Sequence, residues 1–136
     1  MKAKLAPLLL SLCLLLCSCA APAEAPAAEA PISVSFSLQS QTGTPAARER
    51  TLSLPGDATV YSALLAFCGE EDLAVETTGS AALGNLYVVS IGGVAEKTAG
   101  SGSGWVYTVN GETIWLSAAR APLKDGDAVS WTFLAQ

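Results

Sequence analysis

The sequence predicts an α+β fold, a β-grasp-like mixed sheet with one helix packed on one face. Three observations carry this. Apolar and polar residues alternate in Ile32–Leu38 and again in Val129–Phe133, and a period of two marks strands with one buried face. Only Val60–Cys68 places its apolar residues at helical spacing. Between these, Trp105-Val106-Tyr107-Thr108-Val109 runs into Asn110-Gly111, a pair suited to the two positive φ angles of a type I′ hairpin turn. One helix cannot cover both faces of a doubly wound sheet, but it can cover one face of a mixed sheet.

The chain begins with a segment that lies outside this fold. Lys2 and Lys4 precede an apolar run, Leu8–Leu16, that ends in small residues. A positive start, a short apolar core and a small-residue exit describe an export signal, whereas a membrane span needs roughly 20 apolar residues. Leu16-Cys17-Ser18-Cys19 resembles a bacterial lipobox, which implies cleavage before Cys19 and acylation of its thiol. Residues 1–18 are thus expected to be a lipoprotein signal peptide and Cys19 the lipidation site, the partner being membrane lipid. Residues 19–31, rich in Ala, Pro and Glu, cannot bury a core and form a tether. Where extended, such a tether spans about 3 Å per residue. The folded domain is expected over residues 32–136, extracytoplasmic and held to the bacterial membrane.

Within the domain, Ile32, Val34, Phe36 and Leu38 alternate with serines as a first strand, and Arg50–Leu54 forms its antiparallel partner. Pro55-Gly56 ends the pair. Asp57 or Thr59 is placed to cap a helix, and Val60, Leu64, Phe67 and Cys68 give that helix one apolar stripe, ending near Gly69. Leu73–Val75 reads as a short strand, Thr77–Gly84 as loop, and Leu86–Ile91 as a further strand stopped by Gly92-Gly93. The Asn110-Gly111 hairpin returns through Thr113-Ile114-Trp115-Leu116, and Leu123-Lys124-Asp125-Gly126-Asp127 turns the chain into its last strand.

Charge and residue types exclude several functions. Without the signal, five Lys/Arg stand against twelve Asp/Glu, a formal net charge of −7 (5 − 12). That sign repels nucleic acid. There is no histidine, no recognisable pair of catalytic carboxylates, and Cys68 lies on the helix stripe as a buried small residue, so no enzymatic activity is expected. Once Cys13 and Cys17 leave with the signal and Cys19 carries lipid, Cys68 has no disulfide partner in the domain. Glu70-Glu71-Asp72 lacks the alternating ligands of a calcium loop, and the glycines of Gly100–Gly104 lack the Lys-Ser/Thr of a phosphate loop. No metal and no resident cofactor are expected.

Thr59-Val60 with Ala63-Leu64, Tyr87–Gly93, Ser103-Gly104-Trp105-Val106-Tyr107-Thr108-Val109-Asn110-Gly111 and Leu123–Asp127 together resemble bacterial surface domains related to the C-terminal domain of transcobalamin and intrinsic factor. The resemblance covers about Ile32 to Phe133 and implies a β-grasp domain. In the vertebrate transport proteins this domain closes over one face of a corrin, a larger helical domain supplying much of the remaining pocket. Trp105 matches the family position at the start of the hairpin. Relatives often carry Gly and an Asp-Tyr pair where this chain has Ser117 and Arg120-Ala121.

The resulting expectation is a lipid-anchored extracellular binding module that uses Trp105, Tyr107 and Trp115, aromatics able to stack on a flat ring ligand such as a corrinoid or on a surface glycan. The alternative is an envelope protein-interaction or spacer domain with no small-molecule ligand.

Overall fold

In the computed structural model, residues 29–136 are described. The signal peptide, Cys19 and most of the tether lie outside the described residues. The elements in order are β1 (Ile32–Ser40), β2 (Arg48–Leu54), α1 (Val60–Glu70), β3 (Val75–Thr78), β4 (Tyr87–Ile91), β5 (Val94–Ala95), β6 (Gly104–Val109), β7 (Glu112–Thr113), a 3-10 turn (Ala118–Arg120) and β8 (Ala128–Leu134). The predicted fold class holds: strands and one α-helix combine in a mixed architecture.

Five strands form the main sheet in the order β2-β1-β8-β6-β7. Its first and last strands, β1 and β8, run parallel at the centre, and its other pairings are antiparallel. The alternation seen in the sequence puts Val34, Phe36, Leu38, Val129, Trp131 and Phe133 on one face, all buried. Helix α1 covers this face over β1 and β2, where the rings of Phe36 and Phe67 stack at 4.5 Å between centroids. Thr59, not Asp57, caps the helix, its side chain accepting from Ser62 N–H while Ser62 Oγ accepts from Thr59 N–H. Loss of such a cap costs about 1 kcal/mol. At the other end of the helix, Glu71 receives the guanidinium groups of both Arg48 and Arg50 and ties the helix end to β2.

Strand count alone pointed to a single sheet, but the structure divides the strands into two. The order β3-β4-β5 makes a separate three-stranded antiparallel sheet. Gly92 and Gly93, at φ 59° and 81°, return the chain immediately and create β5, a strand too short to show a period. The short strand expected at Leu73–Val75 begins at Val75 and extends to Thr78, because residues 75–78 find partners along β4. The second sheet approaches the main one beside β6, where Trp105 Nε1 donates to the Val94 carbonyl at 2.8 Å.

The hairpin turn forms as expected, with Asn110 at φ 52° and Gly111 at φ 80°. The return strand is shorter than expected. Only Glu112 and Thr113 pair with β6, and Ile114–Leu116 leave the ladder. Two side chains hold the departing segment away: Tyr107 Oη donates to the Leu116 carbonyl at 2.6 Å, and Ser117 Oγ donates to the Leu86 carbonyl at 2.7 Å.

Candidate functional site

The departure of Ile114–Leu116 from β6 opens a concave pocket of about 470 Å³. Three segments wall it. Trp105, Val106 and Tyr107 of β6 form one side, Leu86 with Tyr87 and Val88 at the start of β4 another, and Thr113–Ala118 the third, with Trp131 of β8 also contributing. All three aromatics selected from the sequence, Trp105, Tyr107 and Trp115, line this one pocket.

Their environments differ. Trp105 and Tyr107 are 4% and 8% exposed. They lie on one strand face, opposite Phe133 and Trp131 in the register of β6 with β8. Trp105 tilts against Phe133 at 5.3 Å and Tyr107 against Trp131 at 5.1 Å between centroids. These two rings form a fixed floor and belong to the core as much as to the pocket. Trp115 is 91% exposed, because the segment carrying it has left the sheet. Tyr87, Val106 and Leu116 are also exposed apolar residues of the lining, and exposed Leu83 precedes the lining residue Gly84. Together these side chains form an apolar fringe around the concavity.

Sequence reasoning missed Tyr87 and Trp131 as pocket residues. Both sit in runs whose alternation gives only strand faces, and nothing local shows that two separate strands converge on one cleft. Trp131 also has an unusual polar atom. It is 2% exposed, and its indole Nε1–H is buried with no hydrogen-bond partner among the described residues. Such an orphaned donor costs about 1–3 kcal/mol.

Among the described residues no Asp, Glu, Lys or Arg lines the pocket. Burial raises the Tyr107 phenol above its ordinary value. Burial, followed by its hydrogen bond to Glu96, raises that of Tyr87. Both are therefore neutral hydroxyls at physiological pH. The cysteine among the described residues, Cys68, is a free thiol buried on α1 away from the pocket, and burial with the nearby Glu71 carboxylate pushes it up to about 11. It is not a poised nucleophile. Among the described residues no cluster of three His, Cys, Asp or Glu side chains is arranged to hold a metal ion.

Comparison with solved structures places this fold among known ones. Haptocorrin in complex with Cbi superposes with a TM-score of 0.60 at 13% identity, over 79% of this chain. The chain spans only 26% of that protein's length. A protein of Ruminococcus gnavus, provisionally described as metal-binding, superposes with a TM-score of 0.51 at 19% identity, over 77% of this chain and 98% of its own. These likenesses establish a transcobalamin-like fold, and neither neighbour's description is of an enzyme. No curated protein matches by sequence. The model of the DUF4430 family, a domain of unknown function, matches residues 57–135, and the chain belongs to that family.

Proposed function

We propose that this chain is a lipid-anchored, extracytoplasmic binding module, held to the membrane through Cys19, whose pocket takes a flat ring ligand such as a corrinoid or a surface glycan. One observation carries the reading: the three aromatics that the sequence singles out line a single uncharged pocket beside the central hairpin. Trp105 and Tyr107 supply a rigid base. Trp115 supplies an exposed ring that can swing onto a ligand, a good use of aromatic area because few rotors must be fixed. A corrinoid is the first candidate because haptocorrin, a structural neighbour, was solved with Cbi. An open cleft covers one side of such a ligand, so affinity is expected at the micromolar level, about −8 kcal/mol or weaker.

The test is calorimetric titration of the full chain, in detergent, with cobalamin, cobinamide, haem and a panel of glycans. It is repeated on Trp115→Ala, which removes a ring from the rim without touching the core. Heat that appears with one candidate and is lost in the variant supports the reading; heat unchanged by the variant moves the site elsewhere. Anchoring has its own test. Cys19→Ala should leave an unprocessed precursor or release the domain from membranes, and unchanged mass with unchanged retention would remove the anchor. A second reading, interaction with another envelope protein, draws support from the exposed fringe of Leu83, Trp115 and Leu116.

A further inference from the structure

The pocket lining carries no charge, but a cation stands at its border. Arg120 ends the 3-10 turn that begins at the lining residue Ala118. Its side chain reaches Gly84, another lining residue. A Cβ at Gly84 would stand 3.1 Å from Arg120 Nε and 3.2 Å from its Cγ, so the aliphatic stem of Arg120 rests on bare glycine backbone. Arg120 is exposed and, among the described residues, its guanidinium has no ion pair and no hydrogen bond. The other arginines differ: Arg48 and Arg50 both reach Glu71. Lys97 reaches Glu96, and Lys124 stands in the turn with Asp125 and Asp127. A second donor lies at the same corner of the pocket. Asn85 follows Gly84 in the lining, and its Oδ1 accepts from Ser80 N–H at 2.8 Å. That bond leaves the Asn85 Nδ2 donors without a partner among the described residues.

We propose that the pocket recognises a ring compound bearing one carboxylate, the ring lying in the aromatic cleft and the carboxylate on Arg120 and Asn85. The inference rests on the pocket being a ligand site and names the charge of what it takes. A planar guanidinium presents paired N–H donors that match the two oxygens of a carboxylate. The seat on Gly84 limits where that fork can be offered, and Asn85 adds donors without adding charge. The surroundings set how much negative charge is tolerated. Twelve Asp/Glu against seven Lys/Arg give the chain a field that repels anions at long range. A lone cation in that field balances one negative charge, and not the two of a phosphate monoester. The uncharged aromatic lining meanwhile favours a ring over an open chain. An acidic sugar and an aromatic acid share this chemistry.

Two matched pairs test this by calorimetry on the full chain in detergent: naphthoate against naphthamide, and methyl glucuronide against methyl glucoside. The acid should bind on the order of fivefold more tightly than its neutral partner at low salt. That advantage should shrink as salt screens the pair. The pair that shows it tells an aromatic acid from an acidic sugar. Arg120→Gln, its thermal midpoint checked against the parent, should bring the acid to the affinity of its neutral partner, and Arg120→Glu should place it below. An acid preference that survives Arg120→Gln would overturn the proposal. Equal affinity within both pairs, with binding lost in Trp115→Ala, would also overturn it while leaving the pocket a ligand site. Heat from a neutral glycan but from none of these compounds would do the same, and no heat from any compound would remove the ligand site along with the inference.

Discussion

Two regions of the same hairpin, a few residues apart, are built on opposite terms. At the tip the Asn110 side chain is bonded through both its oxygen and its nitrogen. Asn110 Nδ2 donates to Asp127 Oδ1 at 2.9 Å, Asn110 Oδ1 accepts from Ala128 N–H at 2.9 Å, and Asp127 Oδ2 accepts from Lys124 N–H at 2.9 Å. The Asp125–Asp127 turn bonds onward to Ser33 and Ser35 at the start of β1. Around Trp105 and Tyr107 the ladder with β7 runs out beyond Thr113, and Trp131 buries an N–H without a partner among the described residues. Buried or half-buried polar groups are normally satisfied. The difference therefore separates a part of the strand that holds the fold from a part available for contact.

The strongest way to break this contrast is at the tip. Gly111→Val forces a β-branched residue to φ +80°, although a Cβ there meets nothing within 4 Å. The strain is purely of the backbone and should cost about 1–3 kcal/mol. An unchanged midpoint in urea would show that the tip does not anchor the sheet. A smaller, pH-gated loss is expected away from both regions. Hydrogen bonds from Arg48 and Arg50 hold Glu71 below its ordinary carboxylate range. A lowered folded value means a contribution present above the unfolded value and lost as pH falls through the folded one. Glu71→Gln should remove this acid-dependent component, and identical acid unfolding of variant and parent would contradict it.

The remaining tests sharpen the groove side. Trp131→Phe deletes the orphaned N–H together with part of a buried ring. The two effects oppose, so the net change should stay within about 1 kcal/mol, against about 3–5 for truncating a large aromatic to alanine. A loss of several kcal/mol would mean that the indole has a partner in solution. Trp115→Ala should shift stability by no more than about 0.5 kcal/mol, as befits an exposed side chain. A larger loss in thermal denaturation would place Trp115 in the fold and withdraw it from the rim.

Much of the fold was legible because its signals are local. Ile32–Leu38 and Val129–Phe133 carry their alternation openly, Thr59 caps the helix through residues three apart, and Asn110-Gly111 encodes its own turn. The candidate site was legible only in part. Trp105 and Tyr107 were chosen as surface aromatics on one strand face, and they do share a face, but it is the buried one. Trp115 was placed in a return strand because its neighbours are strong strand formers. Its release depends on hydrogen bonds from Tyr107 to Leu116 and from Ser117 to Leu86, and the second spans 31 positions of sequence. No propensity scale sees such a pair. The division into two sheets was hidden for the same reason, since β5 has two residues and its existence depends on where β4 lies.

The parallel pairing of β1 with β8 also governs the order in which the chain can fold. The two strands at the middle of the main sheet are the first and the last of the described fold. A chain emerging amino-terminus first from a ribosome can form the β1–β2 hairpin and α1 early. It cannot complete the sheet until Ala128–Leu134 is free. Until then Val34, Phe36 and Leu38 lack their central neighbour and the hairpin at Asn110 has nothing to lock onto. Closing so long a loop before it is rewarded slows folding. The topology thus leaves completion of the main sheet to the last strand.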